Sequence, residues 1–154
     1  MLGPLAGRPA EDWQRAPRGK WTPAQIVEHL ALGMEWTWRG FEERRGRPPM
    51  TRRPRTVAQR ITWLLIFGIG RVPPVQAPER ARPDADPDPA YVERHFREGA
   101  AGMRRVAAEL LPARAADLFV KHGRLGDLTI SEWLRFHTWH CGHHARQIRA
   151  RLAG

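Results

Sequence analysis

The chain has 154 residues, a length that suits one domain with a substantial buried core. It carries 26 basic and 16 acidic residues, and every basic residue except Lys20 and Lys121 is an arginine. The one cysteine, Cys141, excludes an internal disulfide framework. The most apolar stretch, residues 61–69, is about half as long as a membrane-spanning helix. Since the first residues also lack the pattern of a signal peptide, we expect a cytoplasmic protein.

The N-terminal residues 1–20 are rich in glycine, proline and arginine and predict little regular structure. One turn of helix is predicted around residues 10–14, with Trp13 packing on the rest of the domain. The first long helix is then expected at residues 22–45.

The start of this long helix has a strong local signal. Thr22 suits the N-cap, Pro23 suits the first helical position, and Gln25 completes a capping box. His29 lies beside the apolar stripe of the helix, where a lone histidine is more often a core or boundary residue than a ligand. The stripe consists of Ile26, Leu30, Gly33, Thr37 and Phe41, at helical spacing.

A proline-rich and strongly basic loop is predicted at residues 46–55. Its arginines leave nucleic-acid binding open as one alternative, because basic patches bind phosphate backbones. The arginines recur in every segment of the chain, however, and no recognition motif is present. Nucleic acid is therefore the least favoured partner.

A second helix is predicted at residues 56–69, opened by a capping box of Thr56 and Gln59. Gly68 and Gly70, followed by Pro73 and Pro74, are expected to end it. The helix is apolar around most of its circumference, so we expect it either to be well buried within its own chain or to be buried partly by a partner chain. This pattern predicts a homodimer.

Residues 75–87 form a proline- and charge-rich segment whose length suits a crossover outside a helical bundle. The third helix is predicted at residues 88–111, with Asp88 as N-cap and Pro112 as its end. A loop is expected over residues 113–128. The inward stripe of the third helix comprises Tyr91, Val92, His95, Phe96, Gly99, Met103, Val106 and Leu110.

The fourth helix, at residues 129–152, contains four of the seven histidines. His140 and His144 are four residues apart and share a face, a spacing that can hold one transition metal ion. His137 lies near the same face, whereas His143 points about 60° away. Cys141 stands where a metalloprotease helix has its glutamate, which argues against a protease. Thr129 and Glu132 form the capping box of this helix.

Together these elements predict a single all-α domain, residues 1–154, built as a four-helix bundle with a long crossover connection. Metal sites in such bundles are formed by side chains on facing helices. A third ligand for the His140 and His144 pair must then come from another helix.

Two stretches resemble the DinB-like superfamily of metal-binding four-helix bundles. Residues 21–30 (WTPAQIVEHL) are similar to the family's Trp-Ser/Thr-x-x-(Glu/Gln)-x-x-x-His-Leu helix. Residues 140–147 (HCGHHARQ) are similar to its His-x-x-x-His-Arg-Gly-Gln signature, although Ala145 and Arg146 replace the usual Arg-Gly. The preceding Gly126–Thr129 turn and the His-x-x-His-His-x-x-Gln spacing look closest to an uncharacterised subfamily.

The resemblance implies a metal triad of one histidine from the first helix and two from the fourth, which by position are His29, His140 and His144. His143 is then expected beside the ligands or at the surface, and His137 either gates the pocket or lies at the core boundary. Cys141 is assigned to packing. His95 on the third helix remains a minor candidate for approaching the site.

Three neutral imidazoles leave one coordination position open, as in catalytic zinc sites. By resemblance, we expect a metal-dependent enzyme, a thiol-dependent S-transferase or a hydrolase, with zinc or nickel as the metal and a small molecule as substrate. The substrate would include a low-molecular-weight thiol. The alternative is a non-catalytic, stress-associated metal-binding bundle protein. No catalytic residue other than the ligands can be named from the sequence.

Overall fold

The computed structural model describes residues 1–70 and 76–153. The expected helix-ending role of Pro73 and Pro74, and the start of the crossover at Val75, lie outside these residues. Within them the chain is predominantly helical, with one small hairpin, and the predicted all-α class is confirmed.

Five α-helices form the framework of the described residues. A short helix and four longer ones were predicted, and each has its counterpart: α1 (Ala10–Gln14), α2 (Pro23–Glu42), α3 (Val57–Leu64), α4 (Pro89–Arg114) and α5 (Ile130–Leu152). A π-helical turn, Leu65–Ile69, continues α3, and single 3-10 turns lie at Gly3–Leu5 and Glu79–Ala81. Trp13 of α1 is buried, as predicted.

The helix starts follow the local sequence signals. Complete capping boxes open α2, α3 and α5, with the threonine side chain and the side chain three residues later each bonded to the other's backbone N–H. Asp88 caps α4, and its carboxylate accepts from the N–H groups of Ala90 and Tyr91. These bonds satisfy backbone donors that a helix start leaves free.

Two predicted helix ends were wrong. The first long helix stops at Glu42, three residues early, and residues 43–46 continue as turns. Helix α4 runs through Pro112 to Arg114. Proline removes one helical donor and frees the carbonyl four residues earlier, on Ala108. Because Pro112 and Ala108 are both exposed, water can bond that carbonyl near the helix end.

The predicted loop at 113–128 contains an antiparallel hairpin, which the sequence did not reveal. Strands β1 (Val120–His122) and β2 (Gly126–Leu128) pair in the register Val120 to Leu128. Three residues are too few to show an alternating pattern. The indole N–H of Trp133 on α5 donates to the carbonyl of Val120, which ties the hairpin to the bundle.

Helix α2 is the central element of the bundle. It packs along most of α4 and also against α5. At Gly99 of α4 the two helices approach so closely that an added Cβ would lie 3.3 Å from the carbonyl oxygen of Ala31. The predicted stripe of α2 is buried except at Gly33, which is partly exposed. None of the described helices is both long and apolar enough to cross a membrane.

The basic segment between α2 and α3 is bonded to the start of α5 and to the hairpin. Arg52 and Arg55 both donate to the carboxylate of Glu132, at 2.7 to 2.8 Å. Arg53 forms a bidentate pair with Asp127 on β2. These three guanidinium groups therefore hold the loop against the bundle through ion pairs within the chain.

Helix α3 lies at the edge of the bundle, and the expectation that it is well buried was wrong. None of its residues is buried, and its packing on the long helices is slight. The contact it does make comes mostly through the following π-helical turn. There Ile66 is buried, and Phe67 packs between Trp63 and Trp139 of α5. The outer side of α3 is left uncovered by the other residues that the structure describes.

Glu132→Gln should lower the free energy of unfolding by about 1–2 kcal/mol, because the carboxylate holds two arginines while glutamine keeps the capping box. Burial raises the pKa of the Glu132 carboxyl, but its bonds to Arg52, Arg55 and the Thr129 N–H outweigh burial and place the pKa below 4.5. The stabilisation is therefore complete above pH 4.5 and is lost as the pH falls through this lowered pKa.

Urea denaturation of both proteins across the acid range measures this effect. The difference between them should vanish at low pH. A difference that is equally large at the lowest pH would show that the charge of Glu132 is not its cause.

We propose that a second copy of the chain covers the exposed stripe of α3. Val57, Ile61 and Leu64 lie along one side of the helix and are 74%, 55% and 62% exposed. A two-fold contact would bring the same apolar stripe to both sides of one interface and remove it from water. Sedimentation at micromolar concentration should show a species of twice 17.7 kDa.

Ile61→Lys combined with Leu64→Lys should give the monomer, because each change places a charge in the stripe. The exposed Arg60 beside them provides the control, since Arg60→Gln should leave the dimer intact. A wild-type protein that sediments only as a 17.7 kDa species would contradict the proposal.

Candidate metal centre

Three histidines from two helices meet at the seam between α2 and α5. His29 lies on α2, and His140 and His144 lie one turn apart on α5. The Nε2 atom of His140 is 3.4 Å from that of His29 and 3.0 Å from that of His144. The three ligand nitrogens lie within 4.8 Å of one another, so the group can hold a metal ion. The structure thus brings together the three residues that the family resemblance implied.

The outer nitrogens of two of these rings are bonded to carbonyl oxygens. His29 Nδ1 lies 2.6 Å from the carbonyl oxygen of Ala81, and His144 Nδ1 lies 2.8 Å from the side-chain oxygen of Gln147. A carbonyl oxygen only accepts, so each Nδ1 donates its N–H. In a neutral ring this leaves the Nε2 lone pair free and directed at the cluster. Histidine ligands of metals are commonly oriented by such bonds.

Burial keeps the three rings uncharged. His29 and His144 are less than one-tenth exposed. Desolvation lowers the pKa of His29, lowers that of His140 well below 6.5, and lowers that of His144 to about 3. The neighbouring histidines lower the pKa values of His140 and His144 further. Since a metal binds only the unprotonated imidazole, the cluster is in the binding state at neutral pH.

Aromatic side chains enclose much of the cluster. The Trp21 ring lies 5.1 Å from that of His29, and the Phe136 ring lies 5.0 Å from that of His140, centre to centre. Trp139 is nearly parallel to His140, at 6.4 Å. These rings reduce contact with water and strengthen electrostatic interactions inside the site.

The spacing of the nitrogens suits a tetrahedral ion. Two nitrogens each about 2.0–2.1 Å from zinc, at a tetrahedral angle, lie ~3.3 Å apart. The two Nε2 to Nε2 separations of 3.0 and 3.4 Å bracket this value. Three imidazoles, two of which have bonded outer nitrogens and free Nε2 lone pairs, are also the donor set expected of such a site. The residues present therefore fit a divalent transition metal.

His137, one turn before the cluster, belongs to the core. It is 6% exposed, and its Nε2 lies 3.0 Å from the hydroxyl oxygen of Thr37. The Thr37 hydroxyl donates to the carbonyl of Gly33, so it accepts from His137. Of the two roles considered for His137, the structure supports the core role.

His95 and Cys141 are not among the residues that can hold the ion. His95 Nε2 is bonded to Glu35 at 2.7 Å, between α2 and α4, so this nitrogen has a partner outside the histidine group. Cys141 is partly buried and packs against the core, as predicted. Burial raises the pKa of its thiol to about 11, so it remains a neutral thiol.

The sequence did not identify the two groups that orient the ligands. The Ala81 oxygen is a backbone atom in the crossover, and no residue type signals it. Gln147 stands in the motif that carried the resemblance. Gln147 lies three residues after His144, so the two side chains share one helix face. This spacing could have indicated the hydrogen bond between them.

A family model described as the DinB superfamily matches residues 1–148, and the chain therefore belongs to that superfamily. No curated protein and no solved structure matches the chain significantly.

His144→Ala should remove most metal binding and the stability that binding to the folded state provides, because one of three ligands is lost. His143→Ala should have a much smaller effect, since His143 is not among the converging residues. Metal content and thermal midpoint of each variant, with and without chelator, measure both effects. If the His143 variant lost the metal and the His144 variant kept it, His143 and not His144 would be the ligand, and the assignment made here would be wrong.

Proposed function

We propose that this DinB superfamily protein binds a divalent transition metal through His29, His140 and His144, and that the metal site catalyses a thiol-dependent S-transfer or a hydrolysis on a small molecule. Zinc or nickel is the metal we favour; neutral imidazoles suit both ions, although they suit iron and copper as well. The substrate would include a low-molecular-weight thiol.

One observation carries the proposal: three neutral imidazoles direct their Nε2 atoms at one point while two of their outer N–H groups are bonded to carbonyl oxygens. A histidine cluster arising from packing alone has no need of this common orientation. A donor set of three also leaves a fourth position for a ligand from solution.

In this proposal the metal ion, and not an acid or base side chain, would activate the nucleophile. When bound, a divalent metal lowers the pKa of a coordinated water or thiol and so supplies a nucleophile at neutral pH. Glu28 is next to His29 in sequence, but its carboxylate accepts from the backbone N–H of Asp84. Among the described residues, no carboxylate belongs to the group that can hold the ion.

The side chains around the site would hold the metal ligands in place and restrict access to them. His29 is fixed by the crossover and His144 by Gln147, and the rings of Trp21, Phe136 and Trp139 lie beside the cluster. These rings would limit the access of bulk water to the site.

The same absence of an acid–base side chain favours a second candidate, a metal-binding bundle protein that performs no turnover. In that case the three histidines would hold an ion for structural or stress-related purposes. The two candidates share the metal site and differ only in whether the fourth position is used by a substrate.

The decisive experiment combines metal analysis with a transfer assay. Protein purified without an affinity tag should contain close to one equivalent of zinc or nickel. It should then transfer a member of a thiol panel, such as glutathione or cysteine, to a chromogenic electrophile, and chelation or His144→Ala should abolish the excess rate over the uncatalysed reaction. The exposed-residue variant Thr138→Ala, on the same helix, should keep both metal and rate.

Bound metal without any catalysed transfer or ester hydrolysis would support the non-catalytic candidate. Protein that neither contains a metal nor takes up zinc or nickel would contradict both.

A further inference from the structure

A short chain of hydrogen bonds runs outward from the metal cluster along α5. Gln147 lies three residues after His144 and four after His143, so its amide reaches both rings. The amide oxygen is 2.8 Å from His144 Nδ1, and the amide nitrogen is 3.1 Å from His143 Nε2. Both polar atoms of the Gln147 amide are therefore hydrogen-bonded.

The direction of the amide decides the state of His144. With the oxygen facing His144, Nδ1 carries the proton and Nε2 keeps its lone pair for a metal. In the reverse orientation the amide N–H groups would face Nδ1. That nitrogen would then have to accept, and the proton of the neutral ring would move to Nε2, where it blocks coordination.

His143 favours the orientation that leaves Nε2 of His144 free. Its Nε2 accepts from the amide NH2 of Gln147, which holds the oxygen on the side of His144. The His143 ring is fixed in turn by Trp139, which stacks on it at 5.7 Å with an angle of 16° between the planes. Trp139 packs against Phe67 of the π-helical turn.

We propose that Gln147 is a positioning residue for the metal site and that His143 sets the orientation of its amide. His143 then acts without touching the ion: it selects the tautomer of His144 through one intervening side chain. This inference rests on the proposed metal site, but the tautomer of His144 can be observed without any metal.

The first test compares zinc affinities by chelator competition. Gln147→Met keeps a side chain of similar length but removes both bonds, and it should weaken binding by about 10- to 100-fold, as expected for groups that orient a ligand. Gln147→Glu keeps an acceptor for His144 and should retain affinity. Thr138→Glu adds the same charge on α5 away from His144, and it corrects for the effect of charge alone.

The second test is a double-mutant cycle. In the wild-type background, His143→Ala frees the amide to take both orientations and should weaken zinc binding at least about twofold, because only part of the population remains competent. In the Gln147→Glu background the same change should have no effect, since a carboxylate accepts in either orientation. The loss of zinc affinity caused by His143→Ala should therefore occur only when residue 147 is glutamine.

The third test uses nitrogen-15 chemical shifts of the histidine rings in metal-free protein. His144 should carry its proton on Nδ1 in the wild type and in the Gln147→Glu variant. It should become a mixture of tautomers in His143→Ala and Gln147→Met. A role of Gln147 in helix packing alone would leave these shifts unchanged.

Three results would overturn the proposal: full zinc affinity in Gln147→Met, an equal loss from His143→Ala in both backgrounds, or an unchanged His144 tautomer in all variants. A wild type that binds no metal but shows the expected tautomers would contradict the proposed function and leave this assignment supported. Tight metal binding that is unchanged by the Gln147 substitutions would support the proposed metal site and contradict this assignment.

Discussion

The burial of three imidazole rings in one seam is the constraint on which the site depends. Removing a histidine from water penalises its charged form, and grouping several histidines adds mutual repulsion between charges. The cluster is stable only with neutral rings, and neutral rings need their N–H groups bonded. The Ala81 carbonyl and the Gln147 amide accept two of these N–H groups. The same bonds that make the burial tolerable leave the lone pairs of His29 and His144 directed at a common point.

The seam exists because α2 packs against both other long helices. Its capping box fixes where it begins, and the close approach of α4 at Gly99 fixes how it lies. The crossover then returns across the start of α2, where Glu28 accepts from the Asp84 N–H and His29 donates to the Ala81 oxygen. A polar connection that resembles a passive linker in the sequence thus supplies both a support for α2 and an orienting group for a metal ligand.

Several charged side chains of this protein form contacts within the chain. The arginines between α2 and α3 bond to Glu132 and Asp127, and Arg45 pairs with Glu42 and Glu109. The basic loop that suggested a nucleic-acid surface is thus bonded to the hairpin and to the start of α5. The apolar side of α3, in contrast, has no partner within the described chain, and it is the surface on which we place the second copy.

Local sequence determined the helix starts and the face that carries the histidines. Capping boxes are formed by residues three positions apart, and the His140 and His144 pair follows from helical periodicity alone. The third ligand, His29, came only from the family resemblance, because no local rule brings together residues 111 positions apart. Tertiary structure decided the rest. The hairpin depends on pairing across a turn, and Pro112 continues α4 because its surroundings are exposed. Helix α3 is apolar, but the described residues leave its outer side exposed, because burial depends on neighbouring elements that a periodic pattern does not identify. The Ala81 carbonyl orients His29 only because the folded crossover places a backbone atom there, and a backbone atom carries no sequence signal.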